Sequence, residues 1–247
     1  MRYLILSDIH ANFTALQAAL AAVAGRWEKV VCLGDVVGYG PDPNEVIDHV
    51  RALQARAIRG NHDKAACGLA DASDFNSVAR TAANWTREHL RADNLTYLQQ
   101  LPQGPLEADG LALVHGALHD EDEYVFAPAQ ALDSLLESPS QVTFFGHTHF
   151  QGGFSFRDDK LEVIQLRPHP GASFAALQVD PHTRYLLNPG SIGQPRDGEP
   201  RAALAIADLD HAVVEFWRVP YDIEAVQQRM KRAGLPEPLI LRLAFGR

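Results

Sequence analysis

The first third of the chain alternates apolar runs with segments of helical period. Leu4-Ile5-Leu6 and Lys29 to Leu33 are such runs, and Ala55 to Arg59 reads as a third short strand. Between the first two, Asn12 is placed to cap a helix reaching about Ala24, with Phe13, Leu16, Leu20 and Val23 as its apolar stripe. Between the second and third, Asp42, Pro43 and Glu45 supply a cap, a first-turn proline and a capping-box acid, and Val46, Ile47, Val50 and Leu53 form the buried side. A β-α-β-α-β order favours a parallel sheet with right-handed crossovers. In such sheets ligands bind beyond the carboxyl ends of the strands. Asp8 and His10 follow the first run, Gly34-Asp35 the second, and Gly60-Asn61-His62-Asp63 the third. Asp8 and His10, two residues apart, share a face if the backbone there is extended.

Residues 64 to 101 carry helix signals only. Val78, Ala82, Trp85 and His89 share one face, and Leu95, Leu98 and Leu101 mark a shorter helix. The segment is either a cap over the strand ends or plain packing. Asp109-Gly110 then introduces a strand, Leu111 to Val114, that ends at His115-Gly116. An acidic loop, Asp120 to Glu123, and a helix near Pro128 to Glu137 precede the strand Gln141 to Phe145, which ends in Gly146-His147-Thr148-His149. From Gln151 the pattern is short strands with turn signals at Gly152-Gly153, Asp158-Asp159, Asp180-Pro181 and Asp208 to Asp210, which predicts antiparallel hairpins. A helix from about Asp222 to Gly234 and a proline-containing tail follow. There is no internal repeat or linker. The expectation is one α/β domain over residues 1–247, its two halves forming two mixed β-sheets of a sandwich flanked by helices, with the helical residues 64–101 within it as either cap or packing.

Net charge is −9 without a basic block, which argues against nucleic acid as a partner. An anionic substrate would need local positive charge, which bound metal can supply. Two cysteines, Cys32 and Cys67, make no disulfide framework. No stretch approaches the roughly 18 apolar residues of a membrane span, and the first run meets Asp8 too early for a signal peptide. A cytoplasmic protein without membrane contact is the expectation.

Asp8, His10, Asp35, Asn61, His115, His147 and His149 are metal-ligand types, each after a strand and most beside glycine. Any one motif alone fits an ordinary turn, since Gly, Asn and Asp favour turns. Their joint, ordered occurrence does not. Oxygen and imidazole donors without thiolate suit Zn, Mn, Fe, Co or Ni better than Ca or Mg. Seven donors exceed one tetrahedral ion and suit two ions sharing a carboxylate, for which Asp35 in its glycine-rich loop is the choice. Two divalent ions about 3.5–4 Å apart hold a hydroxide and clamp a phosphoryl group. His62 follows Asn61 too closely to ligate with it and is better placed as the acid for the departing oxygen, with Asp63 as its orienting partner. His49, His89, His119, His169, His182 and His211 lack such settings; His119, near His115, is the candidate exception.

Asp8-x-His10, Gly34-Asp35, Gly60-Asn61-His62-Asp63, His115-Gly116 and Gly146-His147-x-His149 together resemble the motifs of the calcineurin-like metallophosphoesterases. Asn188-Pro189-Gly190-Ser191 resembles a late turn of their small bacterial members. The resemblance implies a two-sheet α/β sandwich with a dimetal centre at the strand ends. It assigns Asp8, His10, Asp35 and His149 to one metal, Asp35, Asn61, His115 and His147 to the second, and catalysis to His62. Protein phosphatases of the family carry an arginine in the loop after Gly-Asp. Val36-Val37-Gly38-Tyr39-Gly40 has none, which favours the phosphodiesterase-like branch. Arg196 is either a substitute phosphate-binding cation or a surface turn residue, and Asn12 either lines the site or caps its helix. The implied activity is hydrolysis of small phosphodiesters such as cyclic nucleotides. Phosphomonoesters, protein phosphoesters and dinucleoside polyphosphates are the alternatives among enzymes, and a catalytically silent metal-binding scaffold is the rival class.

Overall fold

The first strand, β1 (Arg2–Leu6), is covered on both faces. Tyr3 and Ile5 enter one apolar cluster, Leu4 and Leu6 another, as the two-residue period of a strand requires. A strand buried twice needs a layer on each side. The computed structural model describes all residues except Arg167 and Pro170, and of Asp74 the backbone alone.

β1 pairs in parallel with β2 (Lys29–Cys32), and β2 with β3 (Arg56–Ala57). Helices α1 (Phe13–Ala22) and α2 (Pro43–Ala52) make the crossovers. The third strand is shorter than its apolar run because the Arg59 amide turns away to the Pro102 carbonyl. Three helices follow: α3 (Asn61–Cys67), α4 (Ser77–His89) and α5 (Ala92–Gln99). β4 (Leu106–Ala108) and β5 (Leu111–Leu113) form a hairpin on Asp109 and Gly110, whose φ angles of 47° and 87° are those a tight two-residue turn demands. After α6 (Pro128–Glu137) come β6 (Val142–Phe144), β7 (Gly152–Arg157), β8 (Lys160–Ile164), β9 (Phe174–Gln178), β10 (Arg184–Asn188), β11 (Ala202–Asp208) and β12 (Val213–Val219).

The strands form two mixed sheets, in the orders β3-β2-β1-β11-β12-β9 and β4-β5-β6-β10-β7-β8. The sheets do not follow the halves of the chain: β9, β11 and β12 return to the first sheet. Two turn signals also differ from expectation. Gly152 and Gly153 lie inside β7, and Asp180-Pro181 joins β9 of one sheet to β10 of the other instead of closing a hairpin. Asp158-Asp159 and Asp208 to Asp210 do close hairpins.

Between the sheets, Ile5, Val31 and Phe216 meet Leu113, Phe144 and Leu187. α1 and α2 cover the first sheet through Leu16, Val46 and Val50, and α6 covers the second through Ala131 and Leu135. Each large apolar side chain fully buried in these layers contributes about 1.5–3 kcal/mol. The ends of β1, β2 and β3 are thereby fixed opposite those of β5 and β6. Helices α7 (Ile223–Arg232) and α8 (Glu237–Arg242) pack on α4 through Val226, Met230 and Leu239. Asp42 and Glu45 form no capping box; the Asp42 carboxylate accepts instead from Arg229 of α7 and from the Phe13 amide. Among the described residues no helix is long and apolar enough to cross a membrane.

Candidate metal centre

Beyond the strand ends the backbone bends sharply. Asp8, His10, Asp35, His147 and His149 all adopt positive φ, between 49° and 65°. The chain has already left extended geometry at Asp8, so Asp8 and His10 converge through left-handed turns and not as strand neighbours. A left-handed non-glycine residue costs on the order of 1–3 kcal/mol and persists only where its surroundings dictate it. Five of them at seven candidate ligands mark this as a built site.

Their side chains meet in two groups. Asp8, His10, Asp35 and His149 each offer one donor atom within 4.8 Å of the others, and so do Asp35, His115 and His147. Asp35 belongs to both. His10 Nε2 lies 3.6 Å from one Asp35 oxygen, and His115 Nε2 lies 3.6 Å from the same atom. His149 Nε2 is 3.3 Å from Asp8 Oδ1, and Asn61 Oδ1 is 3.2 Å from His115 Nε2. Every one of these seven residues except Asn61 is buried to within a few percent.

The second nitrogen of each ring is already taken. His10, His115 and His149 use Nδ1 on the carbonyls of Val37, Leu33 and Gln194, and His147 uses Nε2 on that of Asp122. A carbonyl partner fixes the tautomer and turns a lone pair inward, the usual arrangement behind a metal-bound imidazole. The Nε2 atoms of His10 and His149 stand 3.1 Å apart with both Nδ1 atoms donating outward. Two lone pairs so close call for a cation between or beside them. The donor set therefore fits two divalent ions.

Electrostatics agree. Burial, with Asp63 and Asp8 adding repulsion, pushes the Asp35 carboxyl well above the usual range. Burial also raises Asp8, but His149 and the Ser7 hydroxyl more than offset it and hold Asp8 below its ordinary value. Burial lowers His10 and His149, and takes His147 down to about 2, so these rings stay neutral. Burial works against the proton on His115 too, but Asp35 and Asp8 prevail and raise it. Cations would relieve both the crowded carboxylates and the facing lone pairs.

Glycines let the loops close. A Cβ on Gly60 would stand 2.2 Å from Asp35 Oδ1, and one on Gly146 2.2 Å from Ser7 Oγ. The Asn188 to Ser191 turn holds the same loops from behind. Asn188 Nδ2 donates to the Gly146 carbonyl and the Thr148 hydroxyl, and the Ser191 hydroxyl to the Asp8 carbonyl.

His62 sits on the first turn of α3, beside the donors. Its ring packs against Tyr39 at 4.2 Å and Phe75 at 4.6 Å, its amide donates to Asp35 Oδ1, and its Nδ1 is buried without a partner among the described residues. Burial, then the Arg196 charge, holds its pKa well below normal. Asp63 does not orient it. The Asp63 oxygens accept from the amides of Gly60 and Val37, capping α3 and tying it to the glycine-rich loop. Of the two roles weighed for Asn12 the structure shows the cap, against the substrate-binding one: Oδ1 caps α1 at the Ala15 amide and Nδ2 donates to the Gly193 carbonyl. Arg196 is half-buried, donates to the Tyr39 hydroxyl at 3.3 Å, and lies over its ring. His119 is a surface partner of Glu137 and stands outside the site.

A cleft of about 320 Å³ opens onto Asn61, His62 and His147, with Tyr39, Phe75 and Tyr124 among its walls. Within residues 64–101, Ala70, Asp71, Phe75, Asn76 and Ala79 border the cleft, while Leu98 and Leu101 join the core under α2. A cavity of similar size lined by Gln165, Arg201 and Arg218 contains none of the donors. Tyr39, Phe75, Tyr124 and Gln194 escaped the sequence argument. Tyr39 had a signal, its place in the glycine-rich loop. Tyr124 and Phe75 had none, and Gln194 acts through its backbone.

Residues 1–212 match the sequence profile of the calcineurin-like phosphoesterase superfamily domain. An uncharacterized protein of Methanocaldococcus jannaschii is 32% identical over 247 aligned residues, covering 98% of this chain and 97% of that protein. A symmetrical bis(5'-nucleosyl)-tetraphosphatase of Nitrosococcus oceani is 30% identical over 172 residues, 66% of this chain and 56% of that enzyme. The crystal structure of a metallophosphoesterase from Sphaerobacter thermophilus superposes with a TM-score of 0.84 at 39% identity, covering 100% of this chain and 99% of that one. With its two mixed sheets and its convergent aspartates and histidines, the chain belongs to the calcineurin-like phosphoesterase superfamily.

Proposed function

We propose that the protein hydrolyses phosphodiester bonds of small substrates, cyclic nucleotides among them, with the help of two divalent transition-metal ions. One observation carries this: Asp35 is shared by two otherwise separate donor groups. Asp8, His10, Asp35 and His149 would hold one ion, and Asp35, Asn61, His115 and His147 the other. Bound there, Mn, Fe, Co, Ni or Zn would acidify water and absorb charge developing on the phosphoryl oxygens.

The chain's own groups do the rest. The His62 Nδ1 faces Gly38, where a Cβ would come within 2.6 Å, which turns Nε2 toward the cleft. An anionic substrate raises the proton affinity of that ring, so Nε2 takes up a proton from solvent in the cleft and hands it to the departing oxygen, returning the ring to neutral. Tyr39 and Phe75 keep the ring upright. Arg196 reaches the cleft wall at Tyr39 and takes a non-bridging phosphoryl oxygen, supplying the cation that the Val36 to Gly40 loop lacks. Near-complete burial of the donors excludes bulk water.

The test is metal-stripped protein reloaded singly with Mn, Fe, Co, Ni or Zn and assayed on a panel of diesters and monoesters. Metal-dependent diester turnover is expected. Silence on the whole panel would favour the scaffold instead. Likeness to the tetraphosphatase of Nitrosococcus oceani supports a second reading, cleavage of dinucleoside polyphosphates, so diadenosine tetraphosphate belongs in the panel.

A further inference from the structure

A strip of aromatic surface leads out of the cleft. Tyr124 stacks on the His147 ring with centroids 3.8 Å apart and planes 22° from parallel. Phe126 continues the stack beyond Tyr124 at 5.4 Å and 8°. Phe150 stands against Phe126 at 5.7 Å and 87°. The three are 40%, 56% and 45% exposed. Among the described residues, none of the three is part of a buried apolar cluster. Adjoining exposed rings that packing does not use mark a binding surface.

The strip is held in place. The amides of Phe126 and Ala127 both donate to Gln130 Oε1 at 2.9 Å, fixing Phe126 at the start of α6. Phe150 directly follows His149, and its amide reaches the Thr148 hydroxyl. Phe150 is thus tied to the loop that carries His147 and His149, and Phe126 to the start of α6.

We infer that Phe126 and Phe150 seat the base of a nucleoside ester whose phosphoryl group lies at the donor set. This rests on the phosphoesterase reading and specifies its substrate. Two features favour a nucleoside over a simple aryl ester. Tyr124 is one ring out from His147, and Phe126 is one ring further. A ring joined directly to the phosphoryl oxygen ends near Tyr124; only a ring carried on a sugar-sized spacer reaches Phe126. A perpendicular pair also offers one face for stacking and one ring for edge contact, both indifferent to base identity.

The test uses the full chain loaded with Mn, in the Phe126→Ser/Phe150→Ser double variant and a leucine pair that keeps apolar bulk. Calorimetry gives the Kd of adenosine monophosphate and of ribose 5-phosphate. Rates give kcat/KM on a cyclic nucleotide and on bis(4-nitrophenyl) phosphate. Both variants are expected to weaken adenosine monophosphate about tenfold relative to ribose 5-phosphate, and to shift the ratio of the two kcat/KM values by a similar factor. Equal changes for all ligands, no change, or no binding preference for the nucleotide in the wild type would overturn the ring seat. If no ester is hydrolysed but the nucleotide preference is present and lost in the variants, the seat stands and the phosphoesterase reading falls. Hydrolysis without that preference sinks the seat alone.

Discussion

Burial leaves the Asp35 carboxylate without water, among donors that form two groups with only this residue in common. Asp35→Asn should therefore reduce occupancy of both metals, whereas His115→Ala should remove one. Elemental analysis of the purified variants checks this, and two ions per chain retained in Asp35→Asn would refute the bridge. His62 hydrogen-bonds the donors through its backbone amide, which alanine keeps, while its ring only packs edge-on against that of His10 at 5.0 Å. His62→Ala should therefore keep both ions while turnover falls by roughly 10²–10⁴. Undiminished turnover would remove it from the mechanism. The convergence of the candidate donor Asp and His side chains was legible because each follows a strand signal, where a carboxylate or imidazole has few other uses. The role of Asp63 was not, and in the sequence Asn12 stands open between cap and site lining, because the same side chains that line sites also cap helices. The choice depends on which amide lies within reach, and here those of Ala15 and of Gly60 and Val37 do. Left-handed backbone at five of the candidate ligands was equally hidden, since it is imposed by loops that meet only after folding.

The loop from Asp120 to Phe126 is positioned by ion pairs, not by a strand or helix. Glu121 accepts from Arg59 and Lys64 at 2.8 Å each, and its neighbour Asp122 offers a carbonyl to His147. Burial raises the Glu121 carboxyl, but Arg59 and Lys64 more than compensate and hold it below its ordinary value. A folded-state value below the unfolded one adds stability above about pH 4.3, and that stability fades as pH falls through the folded value. Glu121→Gln should thus cost roughly 1–2 kcal/mol at neutral pH and progressively less below about pH 4. Urea denaturation of both proteins at the two pH values measures it, and a pH-independent difference would show that charge is not what anchors the loop. Element types were readable from period and turn residues; element partners were less so. Asp180-Pro181 looks like a hairpin turn because turn chemistry is local. Whether the next strand pairs with the last one or crosses to another sheet depends on which sheet has an open edge.

At the scale of the molecule, each donor group draws on both sheets. Asp8, His10 and Asp35 come from loops of the first and His149 from the second; Asp35 and Asn61 face His115 and His147 across the same seam. Apolar packing joins the sheets along their length, but at this end polar donors meet with their lone pairs and carboxylates opposed. An ion bound there stabilises the whole fold because the unfolded chain lacks the site. At a free concentration a hundredfold above Kd, one site adds about 2.7 kcal/mol, and for a chain of this size each kcal/mol moves Tm by about 2–4 °C. Chelation should accordingly lower Tm by about 5–10 °C per site. Asp35→Asn sharpens the test because it acts in opposite directions on the two forms. In stripped protein it removes a buried carboxyl crowded by Asp8 and Asp63, so its Tm should equal or exceed that of stripped wild type. With metal present it should fall well below wild type, having lost the ligand both ions share. Melting curves of the two proteins with and without chelator therefore cross. Curves that stay parallel would mean that the seam between the sheets is held by packing alone.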